Sequence, residues 1–190
     1  RGLRELCDKE GSLLIFDEVQ VGMGRTGRLF GYEHFGVEPD IMTLAKALGG
    51  GLPLGAMLAR EGVAKSFPPG SHASTFGGNP VVCRAGLAVM ETILDAGLVQ
   101  HCEEGGAVLR QGLEALAERF DFIREVRGKG LLLGVEMDRE CGPMVQECMR
   151  EGLLVVLAGP NVLRMVPPLT IEKAEVDEAL GILERVLGRA

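Results

Sequence analysis

Residues 13–16, Leu-Leu-Ile-Phe, form a short apolar run that lies between Gly11 and Asp17. A run this short, with no alternation of apolar and polar residues, predicts a strand buried on both faces, as in a parallel sheet covered by helices. Two similar runs, at residues 41–44 and 54–58, are separated from it by glycine-containing turns. The first half of the chain is therefore predicted to be an open α/β sheet.

A helix is predicted to follow these strands, from Pro80 to just before Gly97. Asn79 is a favourable N-cap, proline fits the first helical position, and glycine commonly follows a helix end. A second helix is predicted over about residues 99–119. The later elements are predicted as strands within residues 120–128 and 130–138, a helix at 143–151, strands around Leu154 and Leu163, and a closing helix with Val176, Leu180, Leu183 and Leu187 on its apolar face.

This order of elements predicts two domains. Residues 1–98 would form the open α/β part, and residues 99–190 a smaller α+β unit. The chain begins with arginine, and its first ten residues have the pattern of a helix that ends at Gly11. We therefore expect the sequence to be a fragment whose upstream part is missing.

The composition excludes several classes of protein. The chain of 190 residues is 46% hydrophobic and 25% charged, so it can bury a core. A net charge of −7 without any Lys/Arg run argues against nucleic-acid binding. No apolar run approaches the roughly 18 residues of a membrane span. Five cysteines without a C-x-x-C pair favour a reducing, cytoplasmic location, and the three histidines lack metal-ligand spacing, so no metal site is predicted.

The residues after the first apolar run allow three interpretations. Asp17-Glu18 could be the magnesium-holding end of a triphosphatase strand, but the chain has no G-x-x-x-x-G-K-[ST] phosphate loop. Gly22-x-Gly24-x-x-Gly27 matches a dinucleotide fingerprint, but the glycines do not directly follow the strand and no amphipathic helix begins after them. The third interpretation is that Asp17 lies at the carboxyl end of a buried strand, where open α/β sheets bind ligands.

Lys46 favours the third interpretation. It lies between two alanines and shortly before three glycines. Such apolar, uncrowded surroundings suit a lysine whose neutral amine is accessible for Schiff-base chemistry. An acid that pairs with a pyridinium nitrogen and a lysine that forms an imine are the two groups that pyridoxal phosphate needs. A helix cap for Asp17 and a solvated helix position for Lys46 remain alternatives.

Four stretches resemble, in order, the class III (ornithine/acetylornithine type) pyridoxal-phosphate aminotransferases: "LLIFDEVQVGMGRTG", "GVEPDIMTLAKALGGGLPLGAM", "HASTFGGNPVVCRAG" and "NVLRMVPPLTI". The resemblance runs through essentially the whole chain and covers the second part of such an enzyme. It implies that residues 1–98 are the C-terminal portion of the large, pyridoxal-phosphate-binding domain of a fold-type-I transferase, with part of a mostly parallel sheet. Residues 99–190 would be the small α+β C-terminal domain.

The resemblance also implies roles for residues around the cofactor. Asp17 would bind the pyridinium N–H. Lys46 would form the imine with the cofactor and then move the substrate proton as general base and acid. Val19 would pack beneath the ring, although a place in the ordinary core is the alternative for a valine beside a strand. Gln20 would hydrogen-bond the phenolic oxygen.

Two further residues would act at the edges of the site. Thr75 would contact the cofactor phosphate of the neighbouring subunit, since the family forms homodimers with shared active sites; a simple turn is the alternative. Arg164 interrupts the apolar "VLRMVPPL" and would bind the substrate α-carboxylate through two hydrogen bonds. A structural ion pair is the alternative for Arg164. The glycine loop at 22–27 would line the active-site entrance, with Arg25 near the substrate or the subunit boundary.

The implied reaction is ping-pong transfer of the δ-amino group of N-acetylornithine to 2-oxoglutarate, as in arginine biosynthesis. Succinylornithine, ornithine and 4-aminobutyrate remain open as donors, because no specificity residue is identifiable. In this family the phosphate cradle and the ring-stacking aromatic residue lie upstream, so we expect the fragment to bind the cofactor weakly and to be inactive alone. Two hypotheses of other classes stay open: a non-catalytic scaffold fragment, and an ATPase whose phosphate loop lies upstream.

Overall fold

A computed structural model describes residues 1–189, which form two compact units. The first unit contains Arg1–Gly24 and Arg28–Leu98, and the second contains Arg25–Gly27 together with the residues from Val99 onward. The assignment of these units to the large and small domains of a transferase stays a prediction.

The sheet of the first unit has three strands in the order β1-β2-β3. They are β1 (Ile15–Asp17), β2 (Ile41–Leu44) and β3 (Ala56–Ala59). Strands β1 and β2 are parallel, and β3 pairs antiparallel with β2. Because β1 and β2 run in the same direction, their carboxyl ends lie at the same edge of the sheet.

The helices of the first unit are α1 (Gly2–Glu10), α2 (Glu61–Ala64) and α3 (Pro80–Asp95). The predicted start of α3 is confirmed, since Asn79 Oδ1 accepts a hydrogen bond from Val82 N at 3.1 Å. Helix α1 ends at Gly11, whose φ of 65° is the left-handed conformation that glycine adopts without strain.

The core of this unit contains side chains of β2 and α3. Met42 and Leu44 are buried on β2, and Val82 and Ile93 are buried on α3. The helix approaches closely at Gly86, where an added Cβ would lie 2.6 Å from Leu54 Cδ2. Each fully buried aliphatic side chain of this kind contributes about 1.5–3 kcal/mol.

The prediction that the first strand is buried on both faces is wrong for the described residues. Ile15 is 56% exposed and Leu13, just before the strand, is 53% exposed. No element within residues 1–189 covers these side chains. Other large apolar side chains of this unit are also exposed, including Leu3, Leu6, Met57, Leu58, Phe67, Phe76, Leu87 and Leu94.

The sheet of the second unit has four antiparallel strands in the order β4-β5-β7-β6. They are β4 (Ile123–Lys129), β5 (Leu132–Met137), β6 (Val156–Leu157) and β7 (Val162–Met165). Side chains alternate along β5 and β7, so that every second residue is buried.

Helices α4 (Leu98–Ala117), α5 (Gly142–Arg150) and α6 (Lys173–Leu187) belong to this region. Helix α6 begins with a capping box in which Glu172 and Glu175 each bind the other's backbone N–H. The core is a continuous cluster of buried side chains from these elements, among them Leu109, Leu113, Leu133, Val135, Leu163, Met165, Val176 and Leu183. None of the helices within residues 1–189 combines the length and apolar character of a membrane span.

The predicted elements occur in the predicted order, with ends displaced by a few residues. The strand expected at 54–58 begins only at Ala56, and the strand expected around Leu154 begins at Val156. Two short 3-10 helices, Gly31–His34 and Lys46–Gly49, have no counterpart in the sequence prediction. They are single turns, too short to give an apolar periodicity.

Candidate functional site

Asp17 is the last residue of β1 and lies opposite Thr43 of the neighbouring parallel strand. Its Oδ1 accepts hydrogen bonds from Val19 N at 3.0 Å and from Thr43 Oγ1 at 3.2 Å. Oδ2 has no hydrogen-bond partner within residues 1–189. The helix-cap alternative does not apply, because residues 19–26 form turns. Asp17 is therefore an exposed, oriented carboxylate with one free acceptor oxygen.

Lys46 follows the end of β2 by two residues and opens a 3-10 helix. Its φ of 48° lies in the left-handed region, which is rare for a residue with a side chain and is often found at functional sites. No hydrogen bond or ion pair engages its Nζ in the described part of the chain. A lysine that merely serves solubility needs no such backbone conformation.

Asp17 and Lys46 follow the carboxyl ends of two adjacent parallel strands, so the fold brings both to one edge of the sheet. The sequence predicted apolar, uncrowded surroundings for Lys46 and left a solvated helix position as the alternative. In the described residues the lysine is exposed and opens a 3-10 helix, as in that alternative. Apolar neighbours in the chain do not bury a side chain unless another element covers it.

Unpaired polar groups at this edge fit pyridoxal phosphate. Asp17 Oδ2 is free to accept the hydrogen bond of a ring N–H, and Lys46 Nζ is free to react with an aldehyde. The side-chain amide of Gln20, half-buried in the turn after β1, also lacks a partner within residues 1–189 and can donate to a phenolic oxygen. Val19 is half-buried beside it.

Glu18 is a buried carboxylate for which the sequence predicted no role towards the cofactor. It is 3% exposed, and its two oxygens accept hydrogen bonds from Gly31 N at 2.7 Å and Tyr32 N at 2.8 Å. Its carbonyl accepts from Gly22 N at 3.0 Å. Glu18 thus ties the turn that carries Val19 and Gln20 to a 3-10 helix thirteen residues away, and no sequence spacing signals such a contact. Both oxygens are occupied, so Asp17 and Glu18 are not a free pair of magnesium ligands.

Thr75 lies in an exposed, irregular segment before α3. Its hydroxyl has no hydrogen-bond partner among the described residues, whereas the neighbouring Ser74 Oγ accepts from Gly77 N at 2.9 Å. The structure does not bring Thr75 into contact with Asp17 or Lys46. Its role towards a neighbouring subunit stays a prediction.

Arg164 lies in the middle of β7, in the second unit, between Gly134 of β5 and Val156 of β6. Its neighbours Leu163 and Met165 are buried on the opposite face of the sheet. Arg164 Nε is buried without a hydrogen-bond partner, and no carboxylate within residues 1–189 forms an ion pair with the guanidinium. The structural ion pair that the sequence left open is not found there. An unpaired arginine beside a glycine is available for an external anion.

The glycine loop does not have the geometry of a dinucleotide site. A Cβ at Gly22 would lie 2.9 Å from Glu18 O, so this glycine is required by close packing within the turn. The next helical element, Gly31–His34, is a single 3-10 turn and not the long helix whose N-terminus would face a pyrophosphate.

Residues 1–187 match the family described as aminotransferase class-III. Among curated relatives, the chain is 50% identical over 188 residues to acetylornithine aminotransferase of Caldanaerobacter subterraneus subsp. tengcongensis, covering 98% of this chain and 48% of the relative. It is 54% identical over 189 residues to acetylornithine aminotransferase of Gloeobacter violaceus, covering 98% and 47%. The chain thus spans about half the length of the curated relatives it matches.

Solved structures agree with this match. Acetylornithine aminotransferase from Elizabethkingia anophelis superposes with a TM-score of 0.91 at 36% identity, over 98% of this chain and 48% of that one. Ornithine delta-aminotransferase of Plasmodium falciparum gives a TM-score of 0.93 at 34% identity, over 99% and 49%. The predicted fold class is confirmed, and the family uses pyridoxal phosphate as its cofactor. This chain belongs to the class III aminotransferases.

Proposed function

We propose that this chain carries the lysine-containing part of a pyridoxal-phosphate enzyme that transfers the δ-amino group of N-acetylornithine to 2-oxoglutarate. The family membership supports amino transfer. Curated relatives at 50% and 54% identity bear the name acetylornithine aminotransferase, which supports this donor. The acceptor 2-oxoglutarate and the place in arginine biosynthesis belong to the same proposal and are implied by the family resemblance.

The observation that carries the proposal is the pair of free groups at one sheet edge. Asp17 presents an unpaired carboxylate oxygen at the end of β1, and Lys46 presents an unpaired amine just after β2. The left-handed backbone at Lys46 has a conformational cost that a surface lysine would not need.

When bound, pyridoxal phosphate supplies an electron sink for the pair of electrons left as a carbon-bound proton departs. Asp17 Oδ2 would accept the ring N–H and keep that nitrogen protonated. Val19 N already holds the other Asp17 oxygen, so the carboxylate is oriented in advance. Gln20 would donate to the phenolic oxygen, and the Val19 side chain would pack against the ring.

Lys46 Nζ would accept the proton from the substrate carbon that bears the amine and would then donate it to the cofactor. Arg164 would bind the α-carboxylate of the amino donor and of 2-oxoglutarate, since a guanidinium pairs with a carboxylate through two parallel hydrogen bonds. Its buried, unpartnered Nε supports this role. Thr75 would reach the phosphate in the neighbouring subunit of a homodimer. The exposed segment around Thr75, with Phe76 81% exposed, is compatible with a subunit contact.

The proposed location is the cytoplasm. All five cysteines are free, three of them buried, as in proteins that mature in a reducing compartment.

The donor is tested by amino transfer to 2-oxoglutarate with the protein in its natural length and added pyridoxal phosphate. Glutamate formation is measured with N-acetylornithine, succinylornithine, ornithine and 4-aminobutyrate as donors. We expect the highest kcat/KM with N-acetylornithine. Lys46→Ala should abolish turnover, while Lys65→Ala, at an exposed lysine paired with Glu61, should retain it.

Ornithine is the alternative donor with specific support, because the Plasmodium falciparum structure at a TM-score of 0.93 is named an ornithine delta-aminotransferase. A higher kcat/KM with ornithine would replace N-acetylornithine in the proposal. Absence of transfer with all four donors would favour the scaffold hypothesis.

The 190 residues alone should bind pyridoxal phosphate weakly, since Asp17 and Lys46 are both exposed. The visible absorbance of lysine-bound cofactor, titrated with this chain, measures the affinity. Lys46→Ala is the control, because it removes the reacting amine. A tight one-to-one complex would contradict this expectation.

A further inference from the structure

Arg25 of the glycine loop is half-buried in the second unit and has no carboxylate partner within residues 1–189. Its Nη1 donates hydrogen bonds to the carbonyl oxygens of Leu131, at 3.1 Å, and of Pro167. No ion pair to Arg25 occurs within residues 1–189. The guanidinium is therefore held only by backbone carbonyls, and burial lowers the pKa of Arg25.

The backbone of Arg25 is fixed as firmly as its side chain. Its carbonyl accepts hydrogen bonds from Leu131 N at 3.1 Å and from Cys102 Sγ at 3.1 Å. Leu131 thus donates its N–H to Arg25 and accepts from the Arg25 side chain, and Leu131 itself is fully buried. A reciprocal pair of this kind leaves little freedom to either residue.

Glycines make room for this contact. A Cβ at Gly130 would lie 2.5 Å from the carbonyl carbon of Thr26, and Gly130 has a φ of 51°. A Cβ at Gly27 would lie 3.0 Å from Glu103 Cβ. Residues 25–27 therefore fit against α4 and the β4–β5 turn at the distance of backbone contact.

Pro167 connects Arg25 to the strand of Arg164. Strand β7 ends at Met165, and the following Val-Pro-Pro segment cannot continue a β-ladder because proline has no N–H. Arg25 supplies a donor to this segment three residues after Arg164. Its other acceptor, Leu131, directly precedes β5, whose Gly134 lies opposite Arg164.

We propose that Arg25 is a positioning residue that holds the ends of β5 and β7 and thereby fixes the place of Arg164 on its strand. The inference rests on the proposed function, in which Arg164 binds the substrate carboxylate. In this proposal Arg25 acts through Arg164, because its Nη1 is engaged by the two carbonyls.

The test compares Arg25→Met with Arg110→Met in the protein in its natural length. Arg110 is a matched control, since it also donates to two backbone carbonyls of the second unit, those of Val126 and Gly128, but does not touch the segment after β7. Hydrogen–deuterium exchange is measured over residues 162–166, and KM and kcat are measured for the amino donor and for 2-oxoglutarate.

Arg25→Met should speed exchange in residues 162–166 by about tenfold and raise both KM values by about tenfold, with kcat changed by less than about twofold. Arg110→Met should leave exchange in this segment and both KM values unchanged. Equal effects of the two variants on KM would overturn the proposal, as would a uniform rise of exchange across the whole second unit.

Arg25→Lys serves if Arg25→Met does not fold. Lysine keeps the charge, but its side chain ends closer to the backbone than Nη1, so smaller changes in the same direction are expected. If the unsubstituted protein transfers no amino group, the proposed function fails, and the exchange comparison alone still decides whether Arg25 holds β7.

Discussion

The two acidic residues at the end of β1 have opposite surroundings, although they are neighbours in the chain. Asp17 is exposed and keeps one free oxygen, whereas Glu18 is 3% exposed and uses both oxygens for backbone N–H groups. The alternation of side chains at a strand end sends one outward and the other inward. One carboxylate is therefore available to a ligand because the other fixes the turn behind it.

Removing the Glu18 carboxylate should destabilise the protein. Glu18→Ala leaves the N–H groups of Gly31 and Tyr32 without their acceptors, and an unsatisfied buried donor costs about 1–3 kcal/mol. Glu33→Ala, at an exposed carboxylate in the same 3-10 helix, is the control and should change the free energy of unfolding little. Denaturant unfolding measures both variants. Equal free energies would show that Glu18 does not hold the turn.

The backbone strain at Lys46 should be measurable as a difference between two inactive variants. Glycine adopts a φ of 48° without a Cβ clash, whereas alanine does not. Lys46→Gly is therefore expected to be more stable than Lys46→Ala by about 1 kcal/mol. This order is the reverse of that at ordinary positions, and denaturant unfolding of the two proteins decides it. A more stable alanine variant would mean that the site is unstrained.

At the scale of elements, helix α4 contains two adjacent glycines with different surroundings. A Cβ at Gly106 would lie 2.3 Å from Gly130 O, while a Cβ at Gly105 meets nothing closer than 4.0 Å. Gly106 lets the helix approach the β4–β5 turn, and this turn also contacts residues 25–27. Gly105 makes no such close contact, and its low helix propensity only weakens the helix.

These glycines should respond to alanine in opposite directions. Gly106→Ala forces backbone atoms apart and is expected to cost about 1–3 kcal/mol or more. Gly105→Ala, the matched control one position away, should stabilise the protein by up to about 1 kcal/mol through helix propensity. Thermal unfolding measures both. A tolerated Gly106→Ala would contradict the close packing of α4 on the turn.

At the scale of the whole molecule, acid should weaken both units. In the first unit the backbone N–H of Leu14 and the guanidinium of Arg4 hold the pKa of Asp40 below its usual 3.8. In the second unit Arg189 and Arg185 hold the pKa of Glu151 below its usual 4.5. A carboxyl with a lowered folded-state pKa binds fewer protons in the folded than in the unfolded state, so stability rises with pH across that window.

These contributions are complete above the usual pKa values and are lost as pH falls through the lowered ones. The free energy of unfolding should therefore be constant near about pH 6 and should decrease below about pH 4. Asp40→Asn should reduce this decrease, whereas Asp95→Asn, at an exposed carboxyl of the same unit, should not. A decrease of the same size in both variants would remove Asp40 as a cause.

The sequence determined the order and type of most elements of this protein, because helix caps and apolar periodicity are local properties of the chain. Asn79-Pro80 and Gly97 bound α3 as predicted, and β5 and β7 lie where apolar runs predicted strands. Asp17 and Lys46 could be proposed as a pair because each follows an apolar run, and parallel strands bring such ends to one edge.

Only the tertiary structure decided which polar groups are already paired. Glu18 accepts hydrogen bonds from a 3-10 helix thirteen residues away, and Arg25 donates to carbonyls more than a hundred residues away. The guanidinium of Arg164 has no hydrogen-bond partner within residues 1–189. The sequence also did not predict that Ile15 and Lys46 are exposed, since apolar neighbours in the chain do not reveal what covers a side chain in space. Hydrogen-bond partners and burial depend on contacts between distant segments, and local sequence carries no record of those distances.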